Sequence, residues 1–133
     1  MGKKIFISYR ADSEGSTYKN LLIAWTRNDN GYFDLNYNDT SVGTSINSVD
    51  SNYIKTVIKE KITSSEVFLC LIGKNTSTSD WVKWEIDKAI ELNKKIVAVK
   101  INNAYTSPSN ILGANAAWAK SFTYDSIKKA IDG

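Results

Sequence analysis

The residues best placed to do chemistry are a tryptophan and a glutamate four positions apart, Trp81 and Glu85. Both belong to residues 79–93, where apolar residues recur at helical spacing after a Ser-Asp pair typical of helix caps. At about 100° per residue, the two side chains lie one turn apart on the edge of an apolar stripe. The stripe consists of Val82, Ile86, Ala89 and Ile90. A carboxylate and an indole at this boundary could hold a sugar and cover a flat ring. The structural alternative is a glutamate favoured by the helix dipole and an indole that merely packs.

The residue types that are missing narrow the chemistry. The 133 residues contain no histidine, which excludes His-based triads and most zinc sites, so we expect no bound metal. The one cysteine, Cys70, lies in an apolar run and is better interpreted as a small buried side chain than as a nucleophile. No Gly-x-Gly-x-x-Gly or Walker-type phosphate loop occurs. An enzyme built from this chain must therefore use carboxylates, hydroxyls and the chemistry of its bound substrate.

Length and composition fit a single globular domain spanning residues 1–133, with 42% hydrophobic residues. The net charge is only +3 and no Lys/Arg run is long, so nucleic acid is not an expected partner. No apolar run approaches transmembrane length, and residues 1–6 are too poor in apolar residues for a signal peptide. We therefore expect a cytoplasmic protein that does not bind a membrane.

The elements that must position these residues begin with four predicted strands. Apolar runs at residues 4–9, 67–72 and 95–101 are typical of buried parallel strands. Residues 32–37 alternate apolar and polar, as an edge strand does. Strands that alternate with helices form βαβ units, so the fold class is α/β with a parallel sheet.

Helical spacing predicts helices over residues 18–27, 49–63 and 79–93. In the second of these, the side chains expected to point inward are Tyr53, Val57, Ile58 and Ile62. The signal weakens beyond residue 101. There we expect a helical turn at residues 114–119, a last short strand at residues 122–124, and a final helix capped by Asp125.

Ligands of such sheets bind beyond the carboxyl ends of the strands. Three features meet there: Ser8, Tyr9 and Arg10 after the first strand, the loop of residues 38–47, and the start of the 79–93 helix. The loop is polar and long for a strand-to-helix connection, and such loops are usually functional or mobile.

This set of groups suits a nucleotide with a positively charged leaving group. Cleavage of an N-glycosidic bond to nicotinamide needs little acid catalysis, because nicotinamide leaves as a neutral molecule. The ribose passes through an oxocarbenium-like state that a nearby anion stabilises. A single carboxylate can then suffice where ordinary glycoside hydrolysis uses two. NAD would be the substrate, and no resident cofactor is expected.

Three stretches resemble those of Toll/interleukin-1 receptor (TIR) domains. They are Lys-Ile-Phe-Ile-Ser-Tyr at residues 4–9, the Ser-Ser pair at 64–65 before the strand at 67–72, and Ser-Asp-Trp-Val-Lys-Trp-Glu-Ile at residues 79–86. The match extends from residue 3 to about residue 101. It is closest to the bacterial TIR-like branch that includes the NAD-consuming sensor of the Thoeris antiphage system.

The resemblance implies a flavodoxin-like, three-layer fold with five parallel strands. It also implies NAD cleavage, often with cyclisation of the ADP-ribose product into a second messenger that an effector protein senses. By position, Glu85 matches the catalytic glutamate. The 38–47 loop matches the loop that gates the pocket and mediates self-association.

The remaining site residues follow from the same correspondence and from the predicted strands. Trp81 matches the aromatic residue four positions before the glutamate. The full set of predicted substrate-binding residues is Ser8, Tyr9, Arg10, Phe33, Asp34 and Trp81.

Two other functions fit the sequence. A non-enzymatic assembly module would use the same loops for TIR–TIR contacts without turning NAD over. A different Glu-dependent N-glycosidase, such as a nucleoside deoxyribosyltransferase, would use a similar sheet.

Overall fold

The computed structural model describes residues 2–38 and 44–133. The strands are β1 (Lys3–Ser8), β2 (Phe33–Tyr37), β3 (Val67–Ile72), β4 (Lys95–Lys100) and β5 (Ala117–Trp118). The helices are α1 (Ser13–Asn28), α2 (Ser51–Thr63), α3 (Asp80–Glu91), α4 (Ser109–Leu112) and α5 (Tyr124–Asp132), with a 3₁₀ turn at Thr76–Thr78. Within the described ranges, no helix is long and apolar enough to cross a membrane.

All five strands are parallel and lie in the order β2-β1-β3-β4-β5. The predicted α/β class and five-stranded parallel sheet are confirmed, and β2 is an edge strand as its alternating pattern indicated. The order changes direction between β1 and β3. The crevice beyond the carboxyl ends of these two strands is where such sheets bind ligands.

Each face of the sheet packs against its own layer of helices. Odd-numbered residues of β1 and β3, such as Ile5 and Leu69, contact α1 and α5. Even-numbered residues, such as Phe6 and Phe68, contact α2 and α3. Because both faces are covered, every residue of β3 is buried, which explains its uninterrupted apolar sequence.

Three details of the helices differ from the sequence prediction. Helix α1 begins five residues early, because the Asp12 carboxylate caps it by accepting a hydrogen bond from the Gly15 N–H at 2.8 Å. In α2, Tyr53 is exposed and Ile54 packs toward the core instead. In α3, Ile90 is exposed, so the apolar stripe ends at Ala89.

Beyond residue 101 the final helix is present as α5, but three other details differ from the sequence prediction. The last strand is β5 within the segment expected to be a helical turn, and the Ala119 N–H continues its pairing by donating to the Ala98 carbonyl at 3.0 Å. Residues 122–124 form no strand: Phe122 packs its ring against Trp25, and α5 begins at Tyr124. Thr123, not Asp125, caps α5 by accepting from the Ser126 N–H. The pairing of β5 with β4 and the packing of Phe122 on Trp25 depend on partners far along the chain, whereas the cap of α5 is a local contact.

Candidate functional site

Helix α3 places Glu85 against the sheet. The Ser79 hydroxyl caps the helix by accepting from the Val82 N–H at 3.3 Å, which fixes where the helix begins. Glu85 then falls in the second turn, on the face that also presents Val82 and Ile86 to the core. Only 4% of Glu85 is exposed. The carboxylate is therefore further inside than the boundary position that the sequence indicated.

The Glu85 carboxylate has a partner on the first strand. The Ser8 hydroxyl donates a hydrogen bond to Glu85 Oε1 at 2.5 Å, across 77 positions of sequence. Ser8 is the last residue of β1, and its neighbour in β3 is Cys70. The pair thus lies at the carboxyl ends of β1 and β3, where the strand order changes direction.

Burial changes the acidity of this carboxyl group. Loss of solvent raises the pKa of Glu85 from its ordinary value of 4.5 to about 8, and the hydrogen bond from Ser8 opposes the rise. Burial also raises the pKa of the Cys70 thiol, and the neighbouring Glu85 charge raises it further. Cys70 is therefore an unreactive thiol, as predicted, and Glu85 is the residue whose proton is poised near neutral pH.

A cleft of about 500 Å³ opens beside this pair at the carboxyl ends of the strands. We call it the carboxyl-end cleft. It is lined by Tyr9, Arg10, Ala11, Asp12, Thr44, Ser45, Ile46, Thr78, Ser79, Asp80 and Trp81. Ser8 and Glu85 are not among these lining residues. Trp81, one helical turn before Glu85 on α3, is among the residues that line the cleft.

Arg10 is the cation of the carboxyl-end cleft. Its Nη1 lies 3.4 Å from the Asn75 carbonyl oxygen and 3.5 Å from Thr78 Oγ1. Its Nε lies 3.6 Å from the Asp12 carboxylate. These are long contacts for charge-assisted hydrogen bonds, so the guanidinium can rearrange to bind an anion.

Trp81 forms a wall of the cleft and also packs. Its indole N–H donates to the Thr44 carbonyl at 2.8 Å, and its ring meets the Trp84 ring edge-on at a centroid distance of 6.1 Å. The indole therefore anchors the described end of the 38–47 loop to α3. Residues 39–43 of that loop lie outside the described residues, so its predicted gating and self-association are not addressed by these contacts.

Tyr9 lines the cleft from the opposite face of the sheet. Its ring is mostly buried and meets the Tyr37 ring edge-on at 6.5 Å. The Lys19 ammonium lies 4.0 Å from the Tyr37 centroid and 5.3 Å from the Tyr9 centroid. Tyr9 is thus held rigidly at the end of β1.

The structure separates Phe33 and Asp34 from this cleft. They pair with Lys3 and Lys4 at the amino end of β1, whereas Ser8 is at the carboxyl end. Phe33 is about 13 Å along the strand from Tyr37, where β2 reaches the carboxyl edge. Phe33 is part of the core on the α1 and α5 face. We therefore withdraw these two residues from the site.

Sequence reasoning missed Glu14, which joins the loops beside the cleft. Its Oε1 accepts from the Lys74 N–H at 2.8 Å, and its Oε2 accepts from the Tyr105 hydroxyl at 2.8 Å. Both partners are 60 or more positions away in sequence, so no local pattern marks the residue.

A second cavity, of about 540 Å³, lies at the opposite end of the sheet beside Asp29, Tyr32 and Asp132. Its carboxylates are already paired. Lys128 contacts Asp29 at 2.9 Å and Lys3 contacts Asp132 at 3.5 Å. The cavity therefore offers no group comparable to the buried Glu85.

The fold and site define an α/β domain with one buried glutamate at the carboxyl end of its sheet. A 2-deoxyribosyltransferase from Bacillus psychrosaccharolyticus superposes with a TM-score of 0.68 at 12% identity, over 93% of this chain and 95% of that one. The CMP N-glycosidase BcmB of Clostridium botulinum gives 0.62 at 13% identity, over 98% and 100%. The TIR domains of the activated Roq1 resistosome give 0.56 at 17% identity, over 83% and 62%. These similarities show a shared fold.

The sequence itself gives the family. The family model described as "Thoeris protein ThsB, TIR-like domain" matches residues 6–106, which include Ser8, Trp81 and Glu85. The chain therefore belongs to the ThsB TIR-like family, and the predicted resemblance is confirmed. None of the curated proteins matches the chain.

Proposed function

We propose that this protein cleaves the bond between nicotinamide and ribose in NAD, with Glu85 as the catalytic residue. The observation that carries the proposal is the buried Glu85 carboxyl, held by Ser8 beside the carboxyl-end cleft. Membership of the ThsB TIR-like family supports it. The two superposable structures named as a deoxyribosyltransferase and an N-glycosidase are consistent with chemistry at a ribose C1′ on this sheet.

Cleavage of the nicotinamide–ribose bond requires one negative charge near the ribose and few other catalytic groups. As the bond from C1′ to nitrogen breaks, its electron pair goes to nicotinamide, which leaves neutral, and positive charge spreads over C1′ and the ring oxygen. An ionised Glu85 near the ribose stabilises that charge in a water-poor site. Water then adds to C1′ and loses a proton to give ADP-ribose. If a nucleophile within the ADP-ribosyl group adds instead, the product is cyclic.

The cleft residues supply binding. Arg10 is the group suited to the diphosphate, because its guanidinium has only long contacts within the protein. Trp81 offers an aromatic face, and Tyr9 closes the end of β1. The product would be an ADP-ribose-type signal in bacterial antiphage defence, sensed by an effector protein, with self-association through the 38–47 loop completing the site.

The test is to replace Glu85 with glutamine and measure nicotinamide release from NAD. Glutamine keeps the size and the bond from Ser8 but removes the charge, so we expect turnover to fall by about 10²–10³. Glu91→Gln is the matched control, because Glu91 ends the same helix and is exposed to solvent. Release by Glu85→Gln at the rate of the unchanged protein would refute the assignment.

A second candidate is cleavage of another N-glycoside, which the superposition on the deoxyribosyltransferase and the CMP N-glycosidase favours. Incubation with CMP and with deoxynucleosides, followed by detection of free base, separates the two. Base release that depends on Glu85, without nicotinamide release, would identify this activity. Release from neither substrate class by concentrated protein would favour an assembly module.

A further inference from the structure

Ser8 was expected to contact the nucleotide, but the structure gives it a different position. Only 1% of Ser8 is exposed, and it does not line the carboxyl-end cleft. Its hydroxyl points to Glu85 Oε1 at 2.5 Å. Glu85, which is 4% exposed, also lies behind the lining of the cleft, and the serine holds one of its two carboxyl oxygens.

We infer that Ser8 is a positioning residue, whose hydroxyl holds one oxygen of Glu85 and keeps the carboxyl group aimed from α3 toward the carboxyl-end cleft. This inference rests on the proposed function for its catalytic meaning. Among the described residues, the hydrogen bond to Glu85 that the structure contains is the one from Ser8 to Oε1, which leaves Oε2 for the ribose. Fixing one oxygen also fixes the plane of the group, as catalytic carboxylates require.

The hydroxyl also favours the charged form of Glu85. A hydroxyl that donates to a carboxylate stabilises its anion, and burial works in the opposite direction. The surroundings of Glu85 otherwise offer little charge. Cys70 on β3 is a neutral thiol, and α2 contributes apolar Ile58 to the same cluster. The charged residues that line the cleft are Arg10, Asp12 and Asp80. Ser8 is therefore the group that counteracts burial.

We predict that removal of the Ser8 hydroxyl shifts the titration of Glu85. Without the hydroxyl, Glu85 should hold its proton to higher pH, and the rise of kcat with pH should move up with it. A hydrogen bond to a charged group corresponds to about tenfold or more in an equilibrium, so kcat at pH 7 should fall at least about tenfold in Ser8→Ala. The KM for NAD should change by less than about twofold, because the serine does not touch the substrate.

The experiment follows the Glu85 carboxyl carbon by NMR across pH in protein labelled with ¹³C at glutamate, assigned by its loss in Glu85→Gln. Ser65→Ala is the matched control: Ser65 is also buried, its hydroxyl donates to the Lys61 carbonyl at 2.8 Å, and it precedes β3 at the amino end of the sheet. Ser8→Thr and Ser8→Val form a second pair of nearly equal size, in which only threonine keeps the hydroxyl. If Ser8→Ala does not fold, this pair still tests whether the hydroxyl sets the titration of Glu85.

We expect Ser8→Ala and Ser8→Val to titrate at higher pH, and Ser8→Thr and Ser65→Ala to titrate like the unchanged protein. An unchanged Glu85 midpoint in Ser8→Ala and Ser8→Val would overturn the inference, as would a loss of activity carried entirely by KM. The NMR readout does not depend on NAD. A displaced midpoint in a protein that cleaves no NAD would therefore reject the proposed function while supporting the role of Ser8 in holding Glu85.

Discussion

At the scale of single residues, the most important feature is the burial of Glu85, because burial disfavours a charged carboxylate and lowers the stability of the fold. Between pH 4.5 and about 8, the folded protein holds a Glu85 proton that the unfolded chain has lost. The free energy of unfolding should therefore fall as pH rises through this window. A buried acid with a raised pKa is the kind of destabilising group that active sites retain for function.

Glu85→Gln should remove this dependence, because glutamine is neutral throughout. At pH 8 the free energy of unfolding of the variant should exceed that of the unchanged protein by on the order of a few kcal/mol, so the variant should melt at a higher temperature. Both differences should shrink toward pH 5. Thermal melts of both proteins from pH 5 to 9 test this, with Glu91→Gln expected to follow the unchanged protein. Parallel melting curves at every pH would contradict a buried, proton-holding Glu85.

The sequence could identify candidate residues but not their surroundings. The four-residue spacing of Trp81 and Glu85 and the absence of histidine indicated a single-carboxylate chemistry. The 4% exposure of Glu85 depends on packing of α3 against β1 and β3, which no local pattern encodes. Phe33 and Asp34 begin β2, so they lie at the amino end of a parallel strand and away from the edge where the cleft opens.

At the scale of elements, α3 and the loop before α2 are joined at the carboxyl-end cleft. Trp81 donates its indole N–H to the Thr44 carbonyl, and Thr44, Ser45 and Ile46 line the same cleft. The proposed function requires a ribose to reach Glu85, which is almost fully buried, and therefore requires a movement of the cleft lining when substrate binds. The hydrogen bond from Trp81 to Thr44 joins α3 to this loop, so it is a contact that such a movement would strain.

Trp81→Phe separates the two roles of this residue, because it keeps an aromatic face and deletes the N–H. If stacking on a ligand ring dominates, Phe should retain most activity, whereas Trp81→Ala should lose about tenfold or more. If the link to Thr44 dominates, Phe and Ala should be affected alike. Initial rates of both variants, together with their melting temperatures, distinguish these outcomes. Lower melting temperatures with unchanged turnover per folded molecule would reject both roles in catalysis.

Helices and strands were predicted more accurately where the local sequence determines their position. Strand β3 was predicted at the residues it occupies, because burial on both faces leaves a continuous apolar run. The two residues of β5 have no such pattern, and they form a strand only through backbone pairing with β4. The cap of α5 was predicted at Asp125 instead of Thr123, since both residue types cap helices and only the backbone geometry decides.

At the scale of the whole molecule, the exposed apolar residues next to the 38–47 loop bear on assembly. Val49, just before α2, is 85% exposed, and Tyr53, in the first turn of α2, is 76% exposed. Exposed apolar side chains that cluster on a surface mark sites of protein–protein contact. The predicted self-association through the 38–47 loop would place them beside or within the contact between copies.

We expect a dilute monomer to release little nicotinamide, with specific activity rising steeply as concentration drives association. Packing of a second copy would exclude water from the carboxyl-end cleft, where water competes with cyclisation for the same ribose carbon. Val49→Asp combined with Tyr53→Asp should suppress that rise without unfolding the domain, because both side chains are already in solvent. Leu112→Asp is the matched control, since Leu112 is 68% exposed on α4 and outside this surface. The measurement is nicotinamide release per molecule across a wide dilution series, with sizing of the same samples. Full activity where sizing shows only monomer, or equal loss in the Leu112→Asp control, would refute control by assembly at this surface.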